Sequence, residues 1–378
     1  MQGILDYAEL RKDIAFQERG FNPVDALIFS VLSYVDWEEV VNEVERPLSE
    51  ACALFLQRRE GADFARIFAY SPLIPRLLEL LKDSVRYREV TMGDYRNVFD
   101  EAQEIQFAAV TIKLPDGALF LSFRGTDSSM IGWKEDMKMT YQESVPAQVL
   151  AWEYTRQCAK RHVQTKRFLG RVRRRDLPTL YLGGHSKGGN LAMYAAIRET
   201  SLHQQIRKVF NFDGPGFRET FYAHYECSGI LSRIVTYLPQ GSIIGRLLEH
   251  REAAVVIEAR ESGLSQHDAF CWSVGCDDFI LAEGLSEESD KVQDYIQRVL
   301  LDRSDEERRR FVDLIFRVMD RLEIRSVSDM SQLGLRQGIN GLRELSAMSA
   351  EERKFIFDVI NFALAADAID LFSPAHIR

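Results

Sequence analysis

Tyr181-Leu-Gly-Gly-His-Ser-Lys-Gly-Gly-Asn190 carries the densest chemistry in the chain. It holds Gly184-His185-Ser186-Lys187-Gly188, a G-x-S-x-G sequence. With Gly and Ser each near ~7% of residues, a chain of this length shows that pattern by chance roughly one time in ten, so the surroundings decide its meaning. Leu177-Pro-Thr-Leu-Tyr-Leu-Gly183 before it reads as a buried strand, and Gly189–Glu199, with Leu191-Ala-Met-Tyr-Ala-Ala-Ile197, reads as a helix. Strand, sharp turn and helix are the setting of a nucleophile elbow. A serine on so sharp a turn sits in a strained backbone conformation. Gly184 and Gly188 let strand and helix approach without Cβ clashes. The Ser186 Oγ is then lifted above the sheet, and the Lys187 N–H, at a helix N-terminus, can face a developing oxyanion.

The neighbouring segments supply the rest of a sheet. Phe107-Ala-Ala-Val-Thr-Ile-Lys113 and Ala118-Leu-Phe-Leu-Ser-Phe123 flank Pro115-Asp116-Gly117 and predict a hairpin. Val209–Phe212, Arg233–Tyr237 and Ala254–Glu258 are three more short strands, and Pro146–Arg161 is a helix. Helices between strands predict an α/β fold with a mostly parallel central sheet. N-terminal helices precede it. Asn22-Pro23 is an N-cap followed by proline at the first helical position, and Val24, Leu27, Ile28, Val31, Leu32 and Val35 recur at helical spacing. Further helices are expected over 48–57 and 75–81. From about Ser286 the chain reads as helix only, with capping boxes at Ser304–Glu307 and Ser349–Glu352. The expected division is 1–283 for the sheet domain with its N-terminal helices, and 284–378 for a helical C-terminal extension.

Composition narrows the function classes. The 378 residues carry 48 Lys and Arg against 57 Asp and Glu, a net charge of −9, which disfavours nucleic acid as the main partner. The five cysteines are scattered and show no C-x-x-C, a pattern of reduced thiols, and the N-terminus lacks a basic and then apolar leader. A cytoplasmic location is expected. The apolar stretch 355–366 is broken by Asp358 and Asn361 and falls short of the ~20 residues a membrane span needs. No metal-ligand spacing, P-loop or dinucleotide fingerprint is present, so neither a metal nor a cofactor is expected. Lys166–Arg175 holds six positive charges and no negative ones. It reads as a solvated loop on the edge away from the site, with peripheral contact to an anionic surface as the alternative.

A G-x-S-x-G hydrolase needs a second oxyanion donor from an earlier strand end. Leu121-Ser-Phe-Arg-Gly-Thr-Asp127 offers one, with Gly125 as a flexible turn and the Thr126 N–H as donor. Ser-Phe-Arg-Gly-Thr-Asp127, Trp133-Lys-Glu-Asp136 and Gly184-His-Ser-Lys-Gly-Gly-Asn-Leu-Ala192 together resemble the class 3 lipase pattern of the α/β-hydrolase fold, over roughly residues 85–275. The resemblance implies that Thr126 lines an oxyanion hole, that Trp133 and Asp136 form a structural element near a lid, and that the substrate is a lipid-type acyl ester. Asp25-Ala-Leu-Ile-Phe-Ser-Val-Leu-Ser-Tyr34 is further similar to an uncharacterised bacterial family related to those lipases, which brings no substrate with it.

A serine hydroxyl needs a base, and α/β-hydrolases order their triad Ser, acid, His. That order removes His162 and His185. His203 lies too close to the elbow helix, and His250 precedes the last strand. His267, in Glu261-Ser-Gly-Leu-Ser-Gln-His-Asp268, follows that strand and is the candidate base. The acid departs from the class 3 pattern, because Leu238-Pro-Gln-Gly-Ser242 has no carboxylate where that family carries one. Asp213, in Asn211-Phe-Asp-Gly-Pro-Gly-Phe217, is the candidate one strand earlier, as in pancreatic-type lipases. Asp268 is its rival, and Gln240 or Ser242 could orient the imidazole more weakly.

The expected function is a serine hydrolase that cleaves an acyl ester through Ser186, His267 and Asp213, with Thr126 and Lys187 as oxyanion donors. Two alternatives stay open: a catalytically inactive hydrolase fold used for binding or scaffolding, and a thioesterase or peptidase with the same triad.

Overall fold

The computed structural model describes residues 3–41, 44–60, 70–127, 129–168 and 171–321. Its main sheet has eight strands: β1 (Arg46–Pro47), β2 (Thr91–Asp100), β3 (Ile105–Lys113), β4 (Leu119–Phe123), β7 (Leu180–His185), β8 (Ile206–Phe212), β9 (Ile234–Pro239) and β10 (Ala253–Ile257), side by side in that order. The first four pair antiparallel. From β4 to β10 every ladder is parallel, so four of the seven ladders are. Helices cover both faces, which makes this an α/β fold, as expected.

Alternation along the strands assigns each face its core. Ala108, Val110, Ile112, Phe120, Phe210 and Phe212 turn toward the N-terminal helices Ile4–Arg11, Pro23–Leu32, Leu48–Arg58 and Ile74–Lys82. Phe107, Ala109, Leu121, Phe123, Leu182 and Val209 turn toward Pro146–Arg161 and Lys187–Arg198. Parallel strands need both faces covered, so the N-terminal helices are the second outer layer of the sheet rather than an addition to it. Leu27 and Ile28 are fully buried in that layer, and each such side chain stabilises by about 1.5–3 kcal/mol.

One buried ion pair anchors the layer. Asn22 caps Pro23–Leu32 in a capping box that Asp25 completes. The Asp25 carboxylate also receives Arg86 Nε at 2.8 Å and Nη2 at 2.5 Å, both side chains being wholly buried. Tyr87 and Tyr7 donate to the same carboxylate at 2.8 and 3.1 Å. Arg86 spends its remaining donors on the carbonyls of Ile14, Arg19 and Gly20 and lies 4.2 Å from the Phe16 ring centroid. The guanidinium thus gathers the loop before Asn22 onto the helix.

Three expectations need correction or completion. Lys166–Arg175 is not a plain loop: β5 (Gln164–Phe168) and β6 (Arg171–Asp176) pair antiparallel as a separate ribbon. The strand β2 was not foreseen. The helices past residue 286 are Glu287–Ile296 and Asp305–Arg321, with a π-helical turn Gln297–Leu301 between them, and Ser304 forms its expected capping box with Glu307. The Ser349 capping box, the 355–366 stretch and His376 lie outside the described residues. No helix among the described residues is long and apolar enough to cross a membrane.

Replacing Asp25 with Ala leaves Arg86 buried without its counter-charge. The expected cost is about 3–5 kcal/mol, read as a lower urea midpoint at unchanged slope.

Candidate active site

The strand β7 ends at His185 and the helix Lys187–Arg198 starts two residues later, which leaves Ser186 alone to make the turn. Its backbone is left-handed, with φ 58° and ψ −134°, and the residue is 9% exposed. A Cβ on Gly184 would come within 2.3 Å of the Gly188 carbonyl carbon, and one on Gly188 within 2.1 Å of the Phe123 carbonyl oxygen. Both glycines are therefore required by space, as expected. Gly189 adds the same constraint against Asn211 Oδ1, at 1.9 Å.

Parallel register brings the acid candidate beside the serine. His185 is paired with Phe212 across β7 and β8, and Ser186 N donates to Phe212 O at 2.8 Å. Asp213 is the next residue, also left-handed (φ 53°) and 1% exposed. Its Oδ2 lies 2.6 Å from His267 Nδ1. Its Oδ1 accepts from Ser242 Oγ at 2.5 Å and from Gly245 N at 3.2 Å. Asn211 closes the turn beneath it, exchanging hydrogen bonds of 2.9 Å with both Gly214 N and Gly214 O.

The rivals are placed elsewhere. Asp268 accepts from Phe270 N at 3.0 Å and Ser71 Oγ at 3.4 Å and makes no bond to the His267 ring. Loss of water around it pushes its carboxyl up to about 6. Ser242 touches the carboxylate rather than the imidazole, and Gln240 enters through its backbone, from Gln240 N to Ile257 O and from Ser286 N to Gln240 O. Of the histidines set aside, His162 pairs with Asp94 and His250 with the buried Glu252, each at 2.6 Å. His185 is fully buried under the site.

Two features of the oxyanion side escaped sequence reasoning. Gly125 has no positive φ; it is needed because a Cβ there would lie 2.1 Å from the Tyr34 hydroxyl. The Lys187 side chain does not point outward. It is 1% exposed, and its Nζ reaches Gln106 O (3.0 Å), Gln106 Oε1 (2.5 Å), Glu135 Oε2 (3.1 Å) and Asp136 Oδ1 (3.6 Å). Thr126 donates its hydroxyl to Asp136 Oδ2. The Trp133–Asp136 segment, on helix Met130–Lys138, therefore holds both oxyanion candidates by their side chains while Trp133 itself stays 39% exposed. The backbone N–H of Lys187, in the first turn of a helix, has no intrahelical acceptor.

The loops reach past residue 284. Ser289, on helix Glu287–Ile296, donates to Ser242 O at 2.5 Å, and Arg246 reaches Ser289 Oγ (2.7 Å) and Asp290 (2.9 Å). Helix Asp305–Arg321 packs Phe311, Val312 and Phe316 on Met130. The expected boundary between 283 and 284 is thus bridged directly behind Asp213.

Removal from water pushes the Asp136 carboxyl up from 3.8 to about 6, against the Lys187 ammonium and the Thr126 hydroxyl, which pull it down. Below pH ~4 both folded and unfolded chains hold this proton. As pH rises toward about 6 the unfolded chain releases it first, so the folded state loses stability across that window. Asp136→Asn has no such proton. The stability of the unaltered protein minus that of the variant, from urea unfolding, should fall between pH ~4 and ~6.5 rather than stay flat.

A family model described as Mbeg1-like matches residues 81–317, more than half of the chain. No curated protein matches it. The match starts within the last N-terminal helix, takes in Ser186, Asp213 and His267, and runs on into the late helices. The chain belongs to the Mbeg1-like family, a lipase-like family.

Proposed function

We propose that the protein is a serine hydrolase of the α/β-hydrolase fold that cleaves an acyl ester, most closely a lipid-type one. The observation that carries the reading is the 2.6 Å contact between His267 Nδ1 and the buried Asp213 carboxylate, beside a serine on a left-handed elbow. A carboxylate can only accept, so the imidazole carries its proton on Nδ1 and keeps the Nε2 lone pair for the serine. The order Ser186, Asp213, His267 on β7, β8 and the loop after β10 supports the same fold.

The chemistry then runs in two halves. Ser186 Oγ attacks the acyl carbon as its proton passes to His267 Nε2. The carbonyl oxygen becomes an oxyanion, held by the N–H groups of Thr126 and Lys187, each such donor being worth about 2.7–4 kcal/mol. Collapse breaks the acyl–oxygen bond, and the imidazolium gives its proton to the leaving alkoxide. Water, deprotonated by the same His267, attacks the acyl-enzyme and returns the serine with release of the acid. The Asp213 carboxylate balances the imidazolium. Ester, thioester and amide share this machinery, so the leaving group is a question for a substrate panel.

A fluorophosphonate probe should label the protein and leave Ser186→Ala unlabelled; equal labelling of the two removes the reading. Asp213→Asn keeps the shape but offers the imidazole a donor as well as an acceptor. Its kcat on p-nitrophenyl esters should drop by about 10³–10⁴ with little change in KM. A panel of p-nitrophenyl esters of rising chain length, thioesters and amides then orders the substrates.

A further inference from the structure

The loop that carries His267 is pinned from below by His185 and, outside the family-matched segment, by Tyr70, with Tyr34 acting through His185. His185 is fully buried, and its Nε2 lies 2.7 Å from the His267 carbonyl oxygen. A carbonyl only accepts, so Nε2 carries a proton. Burial, and secondarily the neighbouring His267, hold the His185 pKa well below the usual histidine range, so the ring is neutral. Its Nδ1 is then an acceptor, and the group facing it at 2.9 Å is the Tyr34 hydroxyl. Burial also raises the Tyr34 pKa, so that hydroxyl keeps its proton. The chain has one direction: Tyr34 O–H to His185 Nδ1, then His185 Nε2–H to the His267 carbonyl.

Tyr34 is held in turn. Its ring stacks on Tyr70, with centroids 4.0 Å apart and planes at 9°. The Tyr70 hydroxyl accepts from Ala269 N at 3.0 Å, two residues past His267. Trp272 Nε1 ties the Gln266 carbonyl at 2.7 Å on the other side. Among these backbone groups, Ala269 N depends on the Tyr70 hydroxyl directly, and the His267 carbonyl depends on Tyr34 only through the His185 ring. The Tyr34 hydroxyl also fills the space a side chain at Gly125 would need, directly before Thr126. One hydroxyl therefore meets His185, which holds the His267 carbonyl, and the turn before Thr126 together.

We propose that Tyr34 is a positioning residue that sets the approach of His267 to Ser186 through His185, with Tyr70 as its brace. The inference rests on the serine hydrolase reading for its effect on rate, but not for the hydrogen-bond chain itself. It makes Tyr34 and Tyr70 part of the working site, although the family model starts at 81.

Two measurements test it. In the unaltered full chain, ¹⁵N NMR of labelled histidines should find His185 neutral with its proton on Nε2; a proton on Nδ1, or a charged ring, overturns the proposal whatever the activity. Tyr34→Phe keeps the stacked ring and removes only the hydroxyl. It should lower kcat on p-nitrophenyl esters about 10- to 100-fold with KM within about twofold, and shift the His185 and His267 nitrogen signals. Tyr34→Phe with unchanged kcat and unchanged signals overturns the proposal. If the unaltered protein takes no fluorophosphonate, the hydrolase reading fails separately. The nitrogen signals of Tyr34→Phe then decide the chain alone: a shift at His267 supports it and none overturns it.

Discussion

The close approach of three backbones at the elbow is the constraint everything else serves. The end of β7, the start of helix Lys187–Arg198 and the end of β4 meet where Gly184, Gly188 and Phe123 leave no room for a single Cβ. Ser186 occupies a left-handed conformation there, of a kind that costs about 1–3 kcal/mol and persists only when its surroundings over-determine it. The surroundings do so by burial and register. Lys187 through Ile197 are all buried, and the parallel pairing of His185 with Phe212 delivers Asp213 at the level of the serine. Asp213 is itself left-handed, and Asn211, Ser242 and Gly245 hold it there.

Each outer part of the chain supports one side of that point. The N-terminal helices, gathered by the Arg86–Asp25 pair, cover one sheet face and send Tyr34 and Tyr70 under the His267 loop. Helix Glu287–Ile296 holds Ser242, which holds Asp213. Helix Asp305–Arg321 packs on helix Met130–Lys138, whose Asp136 takes the Thr126 hydroxyl and whose Glu135 takes Lys187. The residues around the serine are thus tied to both ends of the described chain.

Much of this was legible because local signals agreed. Asn22-Pro23 marked a helix start, Pro146–Arg161 was read to the residue, and the glycines around Ser186 are needed for the steric reason given. Asp213 was singled out because the missing carboxylate after Tyr237 forced the search back one strand, and it lies 2.6 Å from His267. What failed was long-range. Thr91–Asp100 holds Gly93, Asp94, Asn97 and Asp100, residues strands avoid, and a register shift between Gly93 and Arg96 breaks its alternation. The basic run hid a ribbon because its charge outweighed its β-pairing in the reading. Lys187 was credited with an N–H only, since a lysine side chain is rarely buried unless paired, and its partners Gln106 and Glu135 lie 81 and 52 residues away. Tyr34 gave no signal beyond closing the Asp25–Tyr34 stretch, whose family likeness brings no role for it.

The proposed nucleophilic device joins Ser186, His267 and Asp213 with an oxyanion site made by two backbone amides. A crystal structure of the protein after fluorophosphonate treatment tests it most directly. The account predicts phosphorus bonded to Ser186 Oγ, the phosphoryl oxygen within hydrogen-bond reach of Thr126 N and Lys187 N, and His267 still on Asp213. An adduct on another residue, or one at Ser186 whose phosphoryl oxygen faces neither amide, would contradict it.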